Sequence, residues 1–208
     1  MMAAKWSVEI DVQMVGLTQE LALPLLPRLM SGKADQVEAA CKQVDAMIAR
    51  KEATLIGWPR IVCLDGERSV VESIVEERYP TEYEPPTAGN PIKPNFVSDS
   101  PAPTAFETRN VGTTLEAEST VLDDGRTLLL NLVPQHVALR KFENFATAKD
   151  KDGGSSGISQ PIFTTSKITT AVKVGNGQRL LLSVYKHEGE PEQMQFMILH
   201  AAATKLER

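Results

Sequence analysis

Two strand pairs in the second half of the chain, Glu107–Val121 with Arg126–Leu139 and Pro161–Val174 with Gln178–Lys186, constrain its architecture more than any other feature. Apolar and polar residues alternate along them, the period of a strand buried on one side. Thr113, Leu115, Ala117 and Ser119 share one face, and Thr114, Glu116, Glu118 and Thr120 share the other. Leu128, Leu130 and Leu132 repeat the pattern on the return strand. Asp123-Asp124-Gly125 and Gly175-Asn176-Gly177 have turn chemistry, so the spelling predicts two β-hairpins. Helices can then only be additions to the faces of an antiparallel sheet.

The first half supplies those additions. Trp6 to Val15 alternates as a strand. Leu17, Leu21, Leu25 and Leu29 recur every four residues, but Pro24 and Pro27 oppose a regular helix, which predicts a short helical turn and a kinked connector. From Lys33 to Glu52, Val37, Cys41, Val44, Met47 and Ile48 fall on one face of an amphipathic helix suited to covering the sheet. Ala53 to Cys63 reads as a strand broken at Gly57 and Pro59, and Asp65-Gly66 as a tight hairpin turn into a strand from Arg68 to Arg78. A last strand, Gln193 to Leu199, follows. A Pro-rich loop is expected over 80–106, with Tyr79, Tyr83 and Phe96 tacking it to its own domain, and a Gly/Ser-containing loop over 140–160. The fold class is therefore α+β: antiparallel β-hairpins with one long and one short helix packed on the sheet, in a single domain over 1–208.

No pattern in the chain supports catalysis. His136, His187 and His200 lie far apart, without a His or Cys at ligand spacing, and are expected to be structural. Asp123-Asp124-Gly125 lacks the rest of a calcium loop. The glycines of 153–157 are not followed by Lys-Ser or Lys-Thr, so no phosphate cradle is read there. Cys41 and Cys63 are expected to be small buried hydrophobes, although pairing is open to them in an oxidising compartment. Neither cofactor nor metal is implied. The 22 Lys plus Arg are scattered among 27 Asp plus Glu, which argues against nucleic acid as a partner. No run approaches the ~20 apolar residues of a membrane-spanning helix. Met1 to Ser7 passes directly into the first alternating strand, so no signal peptide is read there.

Several segments, in order, resemble the core domain of the bacterial secretins, ring-forming outer-membrane channels of type II and type III secretion and type IV pilus systems. Val8-Glu9-Ile10-Asp11-Val12 is similar to the family's first core strand. Pro59 and the turn Asp65-Gly66 stand in a segment like its second strand pair. Val111, Gly112 and Leu115 match its Val-Gly-x-x-Leu strand, which leads here to the turn Asp124-Gly125. Pro161, Phe163, Thr165 and Thr170 resemble its Pro-x-Phe-x-Thr strand, and Gly177-Gln178 opens a segment like its penultimate strand. Ser183-Val184 stands where the family has Gly-Gly, Ser166 where it has Arg, and a Val-Pro-x-Leu-Gly-Asp segment before the last strand is missing.

The resemblance implies a structural subunit of a secretion or pilus assembly in the bacterial cell envelope, periplasm or outer membrane, that pairs strands laterally into a ring. Its partners would be copies of itself or other secretion-system subunits. The polar faces Thr114, Glu116, Glu118 and Thr120 and the 5% aromatic content do not support membrane contact. They favour an alternative, a soluble secretin-derived scaffold or binding module without a pore.

Overall fold

A computed structural model describes residues 6–84, 101–149, 155–187 and 190–207. Strands dominate. They are β1 (Trp6–Thr18), β2 (Thr54–Gly57), β3 (Arg60–Leu64), β4 (Arg68–Glu84), β5 (Ala102–Val121), β6 (Thr127–Lys149), β7 (Ser155–Lys167), β8 (Thr170–Gly175), β9 (Gln178–His187) and β10 (Glu190–Lys205). The helices are α1 (Gln19–Ala22), α2 (Leu26–Leu29) and α3 (Ala34–Ala49). The leucine row thus forms two helical turns where one was expected: Pro24 follows the end of the first, and Pro27 sits in the first turn of the second.

The strands make two sheets, one ordered β2-β1-β10-β9 with β3 also on β1, the other β4-β5-β6-β7 with β8 also on β6. By compactness the chain divides into two units, Met1–Ser73 with Thr113–His136 and Ser166–Arg208, and Ile74–Gly112 with Val137–Thr165.

In the first unit the first sheet is buried on both faces. Val8, Ile10, Val12 and Met14 of β1, with Met197, Leu199 and Ala201 of β10, pack against Leu115, Ala117, Leu128, Leu130 and Leu132 of the second sheet. The opposite parity, Val15 and Leu17 with Met194, Phe196 and Ile198, packs against Leu25, Leu29, Val37, Cys41, Val44 and Met47 of the helical layer. Each such side chain, when fully buried, is worth about 1.5–3 kcal/mol. Cys41 and Cys63 are buried and free. They belong to different clusters, and burial pushes the Cys41 thiol up to about 11.

Two of the expected hairpins are something else. β3 pairs with β1 and β4 belongs to the other sheet, so Asp65-Gly66 carries the chain from one sheet to the other. β8 pairs with β6 while β9 pairs with β10, so Gly175-Asn176-Gly177 does the same in reverse. The cause is that alternation records which side of a strand is buried and not which strand lies beside it. β5 and β6, joined through Asp124-Gly125, are sheet neighbours as expected.

The second unit consists of the outer halves of β4, β5, β6 and β7. Both expected loops are shortened by these strands. Residues 80–84 and 102–106 of the Pro-rich stretch are strand, as are 140–149 and 155–160 of the Gly/Ser stretch. β4, β5, β6 and β7, sheet neighbours in that order, extend through them, since strand pairing needs only backbone groups. Residues 85–100, with Phe96, and 150–154 lie outside the described residues.

Candidate functional site: a polar row on the first sheet and an open four-stranded sheet

β1 places Glu9, Asp11 and Gln13 on the face that it shares with Val15 and Leu17. Strand register then builds a row across the sheet, because Asp11 lies opposite Arg60 of β3 and His200 of β10, and His200 lies opposite Arg179 of β9. Asp11 is only 6% exposed. It is compensated by Trp58 Nε1, which donates to Oδ1 at 2.7 Å, and by His200 Nδ1, 2.9 Å from Oδ2. Burial alone would raise the Asp11 pKa, but its hydrogen bonds with His200 and Trp58 outweigh that and hold it below the ordinary value. The hydrogen bond to Asp11 raises His200 despite partial burial.

Arg60 reaches Glu9 at 2.7 Å. Arg179 reaches Asp45 of α3 at 2.6 Å and Glu38 at 3.8 Å. Gln13 Nε2 donates to Asp45 at 3.3 Å. Glu9, Asp11, Gln13, Trp58, Arg60, Arg179 and His200 line a cavity of about 230 Å³. Glu9, Asp11 and His200 each offer one ligand atom within 4.8 Å of the others, so they could hold a cation.

The second unit is organised differently. Among its described residues Val137 is the one fully enclosed hydrophobe, while Val75, Phe106, Phe142 and Phe145 are exposed. Its first and last strands, β4 and β7, meet through side chains: the Tyr79 and Phe163 rings lie 5.6 Å apart, and Gln160 Nε2 donates to the Pro80 carbonyl at 2.8 Å. Arg109 donates to Thr165 Oγ1 at 3.2 Å, and Arg78 lies 4.4 Å over the Phe106 ring. Tyr79 and Tyr83 thus anchor strands and not a loop.

The motif residues are distributed over turns and strands, and no single pocket collects them. The Pro59 carbonyl accepts from Val12 N at 3.1 Å. Asp65 Oδ1 accepts from Val121 N at 2.8 Å, and Gly66, at φ 81°, donates to the Ser119 carbonyl, which locks the first crossing turn to β5. Val111 and Gly112 lie on β5, where Gly112 takes φ 134°, and Leu115 is wholly buried. Asp124 Oδ1 accepts from Arg126 N and Thr127 N, both at 2.9 Å, around Gly125 at φ 61°. Pro161, Phe163 and Thr165 lie on β7, and Thr170 opens β8 opposite Leu132. Gly177, at φ 76°, donates to the Ala201 carbonyl, and Gln178 lies opposite Ala201. Asn176, which the motifs do not include, secures this second crossing by exchanging two hydrogen bonds with the Ala203 backbone at 2.7 and 2.9 Å.

Asp11, Trp58, Arg179 and His200 were likewise missed as a set. The available signal was parity: Glu9, Asp11 and Gln13 interrupt an otherwise apolar face of a strand buried on both sides.

Residues 46–192 match the family Secretin, described as bacterial type II and III secretion system protein. The chain belongs to the secretin family. No curated protein matches its sequence. Among solved structures it is similar to the InvG secretin of the Salmonella SPI-1 type III secretion injectisome, at 10% identity and TM-score 0.45, over 98% of this chain and 64% of that one. It is also similar to Aeromonas hydrophila ExeD, at 14% identity and TM-score 0.44, over 99% of this chain and 49% of that one. The secretin of the ETEC pilotin-secretin AspS-GspD complex aligns at 10% identity and TM-score 0.47, over 99% of this chain and 50% of that one. The chain spans about half to two thirds of the length of these structures.

Proposed function

We propose that the chain is a structural subunit of a secretion or pilus assembly in the bacterial envelope. It acts without catalysis, by lateral pairing of the second unit's strands with those of neighbouring copies or of other assembly subunits. Family membership supports the setting, and the exposure of the second unit supports the mechanism. Four long strands with one enclosed hydrophobe among the described residues gain little from burial. Sheet edges left open present unpaired backbone groups, which a neighbouring chain can satisfy and a closed ring removes altogether. Each strand contributes about 11–13 residues to this unit, comparable to the ~9–11 that a tilted strand needs to cross a bilayer.

The contacts between β4 and β7 favour a second reading, a soluble scaffold or binding module in which those edges serve one chain. Mass measurement in solution, with and without detergent or liposomes, separates the two. A detergent-resistant ring is expected for the assembly subunit, whereas a monomer under every condition would overturn it in favour of the module. Among the described residues no helix is long and apolar enough to cross a membrane.

A further inference from the structure

One polar atom in the cavity of the first sheet lacks a partner. Gln13 is 6% exposed and its Nε2 is used by Asp45, yet its Oε1 has no hydrogen-bond donor. A buried carbonyl left in this state costs about 1–3 kcal/mol, so the site calls for a donor or a cation. Gln13 lines the same cavity as Glu9, Asp11 and His200, one step further along the same face of β1.

We propose that this cavity binds a divalent transition-metal ion through the carboxylates of Glu9 and Asp11 and the imidazole of His200, with Gln13 Oε1 as a further oxygen ligand. The 2.9 Å between His200 Nδ1 and Asp11 Oδ2 suits adjacent ligand atoms at bonds of roughly 2.1 Å. Two carboxylates with one imidazole suit borderline Zn²⁺ or the harder, oxygen-preferring Mn²⁺. Trp58 holds Asp11 Oδ1, the orienting role expected of an outer partner, so Oδ2, which faces His200 Nδ1 at 2.9 Å, is the oxygen that would ligate. The nearby cations are already offset, Arg60 by Glu9 and Arg179 by Asp45 and Glu38. The ion would replace the hydrogen bond between Asp11 and His200 and compete with Arg60 for Glu9, and a cavity of about 230 Å³ leaves room for completing waters.

The inference is independent of ring assembly and is tested on the chain alone. Calorimetric titration with ZnCl₂, and separately MnCl₂, at neutral pH should show one site, removed by EDTA. His200→Gln and Asp11→Asn should abolish it, Trp58→Phe should weaken it about tenfold, and His136→Gln should leave it unchanged. Glu9→Gln, altering a partly exposed side chain, keeps the test decisive if the buried variants fail to fold, and it must also weaken binding. No binding of either ion up to about 1 mM, or binding unaffected by His200→Gln or by Glu9→Gln, would overturn the site.

Discussion

β6 passes through both units and shows how differently they are held. In the first, its Leu128, Leu130 and Leu132 are no more than 1% exposed. In the second, residues 140–146 of the same strand are all exposed. β1 and β10, by contrast, are covered on both faces for most of their length. A strand sandwiched between layers is fixed by its core, whereas one that projects beyond the layers depends on its ladder and on whatever pairs with its edges. The first unit is held by a core on both faces of its sheet, the second chiefly by its ladders.

Hydrogen exchange on the dilute monomer gives the largest expected contrast. Amides of β1 and β10 should open only near the global free energy, about 5–15 kcal/mol, while those of 140–146 should open far more cheaply. Equal protection would break the comparison. Next in size, Phe196→Ala removes a fully buried ring between the first sheet and the helices and should cost about 3–5 kcal/mol in urea unfolding. Phe145→Ala, at a side chain 65% exposed, should stay within about 0.5 kcal/mol; similar costs for the two would place a core in the second unit.

A smaller loss, about 1–2 kcal/mol, is expected for Gly125→Ala. Gly125 has φ 61°, and an added Cβ would lie 3.2 Å from the Trp6 ring. An unchanged midpoint would show that this turn relaxes freely.

The smallest effect is pH dependence in the first unit. Asp11 is held below the ordinary aspartate value of 3.8, so its contribution is present above that pH and is lost as pH falls through the depressed value. His200 is raised above 6.5, so its contribution is full below 6.5 and is lost as pH rises through the raised value. Glu9, Arg60 and Arg179, with Asp45 and Glu38 behind Arg179, are the charged groups around the pair. The stability gap between the native chain and His200→Gln should be widest between pH 3.8 and 6.5 and close on the alkaline side. A gap independent of pH would remove the pair from the account of the first unit.

Much of this was legible from alternation and turn chemistry. The inward faces of β5 and β6, the amphipathic stripe of α3 and the turn at Asp124-Gly125 all stand as read, since each depends on residues close in sequence. What alternation could not carry is partnership. It did not show that Asp65-Gly66 and Gly175-Asn176-Gly177 change sheets, that β10 is central to its sheet, or that strands replace much of both expected loops. The polar row was hidden for the same reason, because His200 meets Asp11 only through the register of β1 with β10. The family motifs marked turns and strand positions, of which only Leu115 is fully buried, which explains why they gather no chemical site.

The pairing of β1 with β10 also sets the order in which this chain can become a protein. Asp11 and His200 touch although they are 189 positions apart in sequence. The central ladder of the first sheet closes a very long loop, and such non-local contacts make folding slow. During synthesis, helices α1 to α3 and the β5–β6 pair can form early, but the strand that completes both cores emerges last. For that interval the apolar faces of β1 lack their partner, and the nascent chain is at its most vulnerable to aggregation and most dependent on a chaperone.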